Sequence, residues 1–350
     1  MGLLNKLYQV IRGVVLKSRN FRTLLGFSIS AVLLWLTFYD SGLSIRNLGL
    51  KGEQWFYFSV AILSFVLATW LQSVRAKLIW LNKGIKQNEI YTYSSLLVGN
   101  FYNCLLPGNL GEGIRAWHFS RKNKVPFQKS LAAIVAEKWI DAQFFVLLTL
   151  VLFILKPFVN HYVLLTISCT TAVILVLSFI YGLMLYSKRI KKIIWLPVIS
   201  LKSPGRFLFR MYTYTSQQIT GIKTNGWVSH YVLLCMAVLF LNISQFFLLL
   251  KAVGIAQPVG GLYSAYIVAV SMMVIVFIPS APGNIGVLHY GIYSVLILAA
   301  SQYGVVPTIA DLQSYALLGV YVHLSYFIPE VIMGGIFVLL ERRLLFGLNR

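Results

Sequence analysis

Long apolar stretches constrain this chain more than any other feature of its sequence. About 20 apolar residues are needed for a helix to cross roughly 30 Å of hydrocarbon, and six stretches approach or exceed that length. Because unpaired backbone polar groups are costly in lipid, such stretches cross as helices. With 58% hydrophobic and 11% charged residues, the chain is predicted to be an all-α integral membrane protein, a polytopic helix bundle. The stretches are 21–39, 55–74, 130–155, 161–186, 227–250 and 312–340.

The basic residues predict the orientation of these spans. Net charge is +21, which in a soluble protein would suggest nucleic acid, but here Lys and Arg gather in particular loops, as the positive-inside rule expects. We therefore expect no nucleic-acid partner, a multi-pass protein of the inner (cytoplasmic) membrane, and both termini in the cytoplasm. The basic segments are the N-terminus, 75–86, 115–129, 188–223 and the C-terminus.

This charge pattern forces two hairpins. If 75–86 and 115–129 lie on the same side, the segment between them must enter the membrane and turn back at "LLPGNLGEG". Residues 262–302 must likewise enter and return, from the opposite face, around "PSAPGNIG". Two related hairpins of opposite orientation predict re-entrant or broken helices in an inverted repeat, with tips near the bilayer midplane. The alternatives are a chance recurrence of PGN in loops and, for the second hairpin, two full spans.

The same reasoning predicts two halves in a single membrane domain. The halves are 1–187 and 225–350, joined by the basic segment 188–224. This segment mixes Lys and Arg with Ile, Trp, Leu and Phe, a composition typical of interfacial segments on an anionic leaflet.

The first turn and the helix after it carry the main candidate site. A Pro-Gly-Asn turn before a helix N-terminus leaves N–H groups free and favours an anion. A charge inside the bilayer costs at least about 2.5–3.5 kcal/mol, so charged groups there normally face a cavity or a partner. We predict that Arg115 pairs with Glu137 or Asp141, either as a packing cluster or with Arg115 or Lys138 contacting an anionic headgroup. The predicted substrate-binding residues are Asn109, Glu112, Arg115, Glu137, Lys138 and Asp141, with Pro107, Gly108 and Gly111 forming the turn.

The second turn is predicted to contribute fewer residues to the substrate-binding site than the first. Asn284 lies in the turn, and His289 follows it and either faces the same cavity or hydrogen-bonds a neighbouring helix. Glu330 follows Pro329 and shares a helix face with His323, seven residues earlier. The predicted substrate-binding residues here are Asn284, His289 and Glu330, with Pro282, Gly283 and Gly286 forming the turn.

Motifs for catalysis and cofactors are absent from the sequence. There is no nucleotide-binding Gly-rich loop in a βαβ context, no HExxH and no nucleophile elbow. The three cysteines lie in apolar runs without metal-ligand spacing and are expected to pack as small apolar residues. No catalytic residue, metal or cofactor is expected.

The two turns together resemble a known family. "LLPGNLGEGIRAWHFSRKNKVPFQKSLAAIVAEKWID" is similar to the flippase-like, lysylphosphatidylglycerol-synthase-type transmembrane family, which carries P-G-x-x-G-E-x-x-R and then E-R-x-x-D. Lys138 replaces the arginine of the second motif. "IPSAPGNIGVLHYGIYSVL" resembles the family's second P-G-G-x-G turn, but Asn284 stands where glycine is usual and His289 where glutamate is typical.

The resemblance implies movement of a phospholipid or polyprenyl-linked lipid between leaflets. In aminoacyl-phosphatidylglycerol synthases this module precedes a soluble aminoacyl-transferase domain that this sequence lacks, so transfer chemistry is not implied. We expect a translocase whose partners are lipids with anionic headgroups. The alternative is an accessory or catalytic membrane subunit in lipid glycosylation or lipid aminoacylation, with a soluble transferase as partner. A third possibility is a purely structural membrane scaffold.

Overall fold

The chain is an all-α, multi-pass membrane protein. The computed structural model describes residues 26–43, 49–81, 88–106, 110–155, 161–186, 192–195, 198, 203–224, 228–256, 259–275, 278 and 280–341. Within these ranges there is no β-strand. The main helices are α1 (26–41), α2 (Gln54–Leu81), α3 (Glu89–Leu105), α4 (Gly111–Asn123), α5 (Phe127–Leu155), α6 (His161–Tyr186), α7 (Ser203–Thr224), α8 (Val228–Val253), α9 (Leu262–Ile275), α10 (Val287–Gln302) and α11 (Ile309–Leu340).

Several of the helices have the length and composition of membrane spans. Among the described residues these are Gln54–Trp80 in α2, Val228–Val253 in α8, Pro282–Gln302 including α10, and Ile309–Leu340 in α11. The predicted apolar stretches 55–74 and 312–340 thus lie within helices that extend beyond them, and residues 228–250 of the predicted stretch 227–250 lie within α8.

Capping residues explain where several helices begin. Asn88 accepts a hydrogen bond from the Ile90 N–H at the start of α3, and Thr308 and Asp311 form a reciprocal capping box at the start of α11. Both arrangements satisfy N–H groups that have no partner inside the helix. Lys124 ends α4 in the left-handed conformation, with φ of 53°.

Both predicted hairpins contain two short helices that pack against each other. α3 packs on α4, and α9 packs on α10. A Cβ at Gly111 would lie 2.0 Å from the Gly99 carbonyl oxygen, so α3 and α4 approach closely only because both positions are glycine. The depth of these hairpins in the bilayer and their relation as an inverted repeat stay predictions.

The remaining packing surrounds the first hairpin. α2 runs along α8, α11 packs on both α3 and α10, and α5 packs on α4 and α7. The second turn meets the end of α3, since a Cβ on Gly283 would lie 3.5 Å from the Cys104 carbonyl oxygen. The segments beside the two turns are therefore neighbours in space.

Candidate functional site

Six charged side chains from α2, α4 and α5 form a connected ion network. Arg115 Nη2 lies 2.8 Å from Glu137 Oε2, which is one of the two pairings that the sequence predicted. Arg75 binds Asp141 through both of its terminal nitrogens, at 2.7 and 3.1 Å. The members of the ion network are Arg75, Glu112, Arg115, Glu137, Lys138 and Asp141.

Glu137 lies at the centre of the ion network. Its Oε2 accepts from Arg115, while its Oε1 is 3.4 Å from Arg75 Nη2. The side chains of these three residues are at most 6% exposed. Removing one partner from such a buried arrangement leaves an uncompensated charge, so Glu137 holds α2 and α4 to α5.

Arg75 is the member that sequence reasoning missed. The segment 75–86 was predicted to be a cytoplasmic loop, but α2 continues to Leu81 and carries Arg75 inside the bundle. There its guanidinium also lies 3.4 Å from Cys235 Sγ and 5.6 Å from the centre of the Tyr231 ring. The signal was present in "VRAKLIW", where apolar residues continue past the arginine at helical spacing.

The ion network has an accessible edge. The Lys138 side chain is 57% exposed, Asp141 32% and Glu112 24%. Lys138 Nζ lies 2.9 Å from Glu112 Oε1, so this edge carries both signs of charge. Lys138 is the most exposed cation of the ion network, and its contact with Glu112 lies outside the buried pairs.

The charges in the ion network balance. Three cations face three carboxylates, which lowers the cost of keeping charge away from water. A neutral network can exchange partners internally without changing its own net charge. Its Glu112 Oε2 atom has no hydrogen-bond partner and lies 3.5 Å from Arg115 Nη1, so one carboxylate oxygen is available for such an exchange.

The described residues include only part of the first turn. The predicted turn residues Pro107 and Gly108 and the predicted ligand Asn109 lie outside the described residues. Gly111 begins α4, and its N–H donates to Asn103 Oδ1 at 2.8 Å. This contact ties the start of α4 back to α3 and places Glu112 and Arg115 opposite α5.

The second turn is tightly packed. Gly283 and Asn284 have φ of 68° and 58°, and the Asn284 side chain accepts from Ser280 Oγ at 2.7 Å. A Cβ at Gly286 would lie 2.0 Å from the Ser30 carbonyl oxygen of α1. The structure therefore keeps Asn284 in contact with its own turn and does not bring it to the ion network.

The predicted ligand His289 lies between α10 and α11. Its ring stacks on His323 with centroids 5.1 Å apart, and its Nδ1 accepts from the Gly286 N–H at 3.4 Å. Tyr326 completes this group, because its hydroxyl donates to the Gly283 carbonyl at 3.0 Å and lies 3.2 Å from His323 Nδ1. His289 thus contacts the second turn and α11 but no member of the ion network.

Glu330 of α11 contacts the end of α3. Cys104 Sγ donates to its Oε2 at 3.2 Å. Since Cys104 also adjoins Gly283, Glu330 is a predicted ligand that lies close to the second turn.

A separate polar group joins α4 to the end of α11. His118 contacts Ser95 Oγ at 2.8 Å through Nδ1 and Glu341 through Nε2, and Lys122 reaches Glu341 at 3.1 Å. Burial lowers the pKa of His118, and the contact with Glu341 opposes that shift. This group ties α4 to α3 and to Glu341 at the end of α11. Among the described residues, no cluster of His, Cys, Asp or Glu could hold a metal ion.

The fold and the ion network define a class, a helical membrane protein with charged groups held between its spans. The family model described as "Lysylphosphatidylglycerol synthase TM region" matches residues 23–320. The chain therefore belongs to this family, whose membership supports a role connected with membrane lipids. No curated protein and no solved structure gives a significant match to the chain.

Proposed function

We propose that this protein moves an anionic phospholipid or polyprenyl-linked lipid across the cytoplasmic membrane. The observation that carries the proposal is the accessible edge of the ion network, where Lys138 and Glu112 meet. Charged residues within a membrane bundle usually mark a substrate pathway or a polar partner. Val135, one turn before Lys138, is 43% exposed, so the same face offers an apolar surface to lipid tails.

Lys138 is the first contact for the headgroup in this proposal. Arg115 is buried and paired with Glu137, so binding a phosphate directly to Arg115 would break that pair. Lys138 gives up only the one contact with Glu112. Its long flexible side chain also lets its ammonium follow a moving phosphate.

Partner exchange then leaves every carboxylate of the ion network beside a cation. When a phosphate binds Lys138, Glu112 loses its 2.9 Å contact with the Lys138 ammonium. The Glu112 carboxylate then moves toward Arg115 Nη1, which is 3.5 Å away. The phosphate thereby replaces Glu112 at Lys138, the displaced carboxylate pairs with Arg115, and the added negative charge of the phosphate lies at the accessible edge. Glu137 and Asp141 hold Arg115 and Arg75 in place throughout, and the lipid tails remain in the bilayer.

Leaflet exchange of fluorescent lipids in proteoliposomes tests the proposal. A panel of headgroup-labelled lipids is reconstituted with the protein, and dithionite reports the fraction exposed outside. Wild-type protein is expected to exchange at least one anionic lipid, and Lys138→Gln and Arg115→Ala to reduce that exchange. Lys51→Gln removes an exposed lysine outside the ion network and should leave exchange unchanged. Equal rates for wild type, Arg115→Ala and protein-free vesicles across the panel would refute translocation.

A membrane subunit for lipid glycosylation or aminoacylation is the second candidate. The description of the family, which names a synthase, favours it. In that case Lys138 and Glu112 hold an acceptor lipid for a soluble transferase, and lipid product forms only when donor and transferase are supplied. Product formation without leaflet exchange would favour this candidate over a translocase.

A further inference from the structure

A groove between α2 and α3 lies away from the ion network. Arg75 and Lys77 are two residues apart on α2, which separates their directions by about 200° around the helix axis. Arg75 points into the ion network, whereas Lys77 lines the groove with Glu89 of α3. The α2–α3 groove is lined by Trp70, Ser73, Val74, Lys77, Glu89, Ile90 and Tyr93 and has a volume of about 150 Å³.

We propose that this groove binds a zwitterionic phospholipid carrying a primary amine, such as phosphatidylethanolamine. The inference does not depend on the proposed translocation. At the mouth of the groove, Lys77 forms an ion pair with Glu89. One cation and one carboxylate side by side match a headgroup that carries a phosphate and an ammonium, with the phosphate on Lys77 and the ammonium donating to Glu89.

Exposure supports an external ligand at this pair. The Glu89 side chain is 69% exposed and Lys77 21%, so Glu89 can accept another donor without leaving its position. A purely anionic headgroup would satisfy Lys77 but would meet the carboxylate of Glu89 at the same site. The pair therefore selects a zwitterion over an anion.

The walls of the groove suit the lipid below its headgroup. Trp70 is seven residues before Lys77, about 10 Å along α2, and is 48% exposed. Ile90 is 60% exposed, and Tyr93 is held by an edge contact with Phe337 of α11. Aromatic side chains of this kind are favoured at headgroup depth. The volume fits part of one acyl chain, which leaves the remainder of the lipid in the bilayer.

Native mass spectrometry of the full chain tests this site. The protein is exchanged into micelles with equal amounts of phosphatidylethanolamine, phosphatidylglycerol and phosphatidylcholine of the same acyl chains. Wild type is expected to retain phosphatidylethanolamine about tenfold over phosphatidylglycerol, the effect of about one charge-assisted hydrogen bond. Glu89→Gln should lose this preference and shift toward phosphatidylglycerol, because Lys77 then has no carboxylate beside it.

Glu53→Gln provides the matched control. Glu53 is an exposed carboxylate just before α2, at the end of that helix remote from the groove, and its removal should leave the retention pattern as in wild type. Glu89 is so exposed that its substitution should not affect folding, and elution as a single species checks this. Equal retention of the three lipids by wild type, or the same preference in wild type and Glu89→Gln, would overturn the proposal.

Discussion

Glu137→Gln hardly changes the volume of the side chain, yet it should lower the free energy of unfolding more than any other substitution in the ion network. The carboxylate serves two guanidinium groups at 2.8 and 3.4 Å, in a site where all three side chains are at most 6% exposed. Replacing it by an amide leaves the ion network with three cations and two carboxylates. Loss of one partner from a buried ion pair costs about 3–5 kcal/mol, and we expect a destabilisation of that size.

Two further variants separate charge from packing. Asp141→Asn should cost less, about 1.5–3 kcal/mol for charged hydrogen bonds, because Asp141 is 32% exposed and Arg75 keeps Glu137. The double variant Arg115→Gln/Glu137→Gln restores charge balance and leaves the Arg75–Asp141 and Lys138–Glu112 pairs intact. It should be less destabilised than the sum of its single substitutions.

Unfolding in mixed micelles by titration with sodium dodecyl sulfate measures these differences. The expected order of destabilisation is Glu137→Gln, then Asp141→Asn. The reasoning fails if Glu137→Gln lies within about 1 kcal/mol of wild type, the range typical of exposed pairs. It also fails if the double variant loses as much free energy of unfolding as its two single substitutions together.

Three further predictions concern packing and the membrane surface. Gly111→Ala should destabilise the hairpin by about 1–3 kcal/mol, since its Cβ would meet the Gly99 carbonyl oxygen at 2.0 Å. The control Gly113→Ala places a Cβ with nothing within 4 Å and should stabilise α4 slightly. Thermal unfolding compares the two variants. Tyr326→Phe should cost about 0.5–1.5 kcal/mol through the lost hydrogen bond to Gly283, with faster amide exchange at the second turn. Arg206→Gln/Arg210→Gln removes two exposed cations of α7 and should increase hydrogen exchange in α7 in anionic nanodiscs but not in zwitterionic ones.

The apolar stretches and the two turns allowed the fold class and family to be predicted from sequence. Stretch length is a direct consequence of bilayer thickness, so the spans could be located without knowing their neighbours. The pairing of Arg115 with Glu137 could also be expected, because isolated charges between apolar residues require partners.

Arg75 shows why the rest of the site could not be predicted. Positive charge near a span end normally indicates a cytoplasmic loop. The apolar residues after Arg75 indicate that the helix continues, but nothing local identifies Asp141, 66 residues later, as its partner. That contact depends on the packing of α2 beside α5, which is a tertiary property. Likewise, His289 was placed near the second turn by its position, but its stacking on His323 depends on how α10 meets α11.

The central claim is that a lipid headgroup binds at the accessible edge of the ion network. Crosslinking at Val135 tests this claim most directly. A photoreactive residue is placed in separate variants at Val135, beside Lys138, and at Leu147. Leu147 is 46% exposed and points about 180° away from Lys138 around the axis of α5. The crosslinked lipids are identified by mass spectrometry. We predict anionic lipid enriched at Val135 over Leu147, and loss of this enrichment in Lys138→Gln. The same bulk lipid composition at both positions would contradict the account.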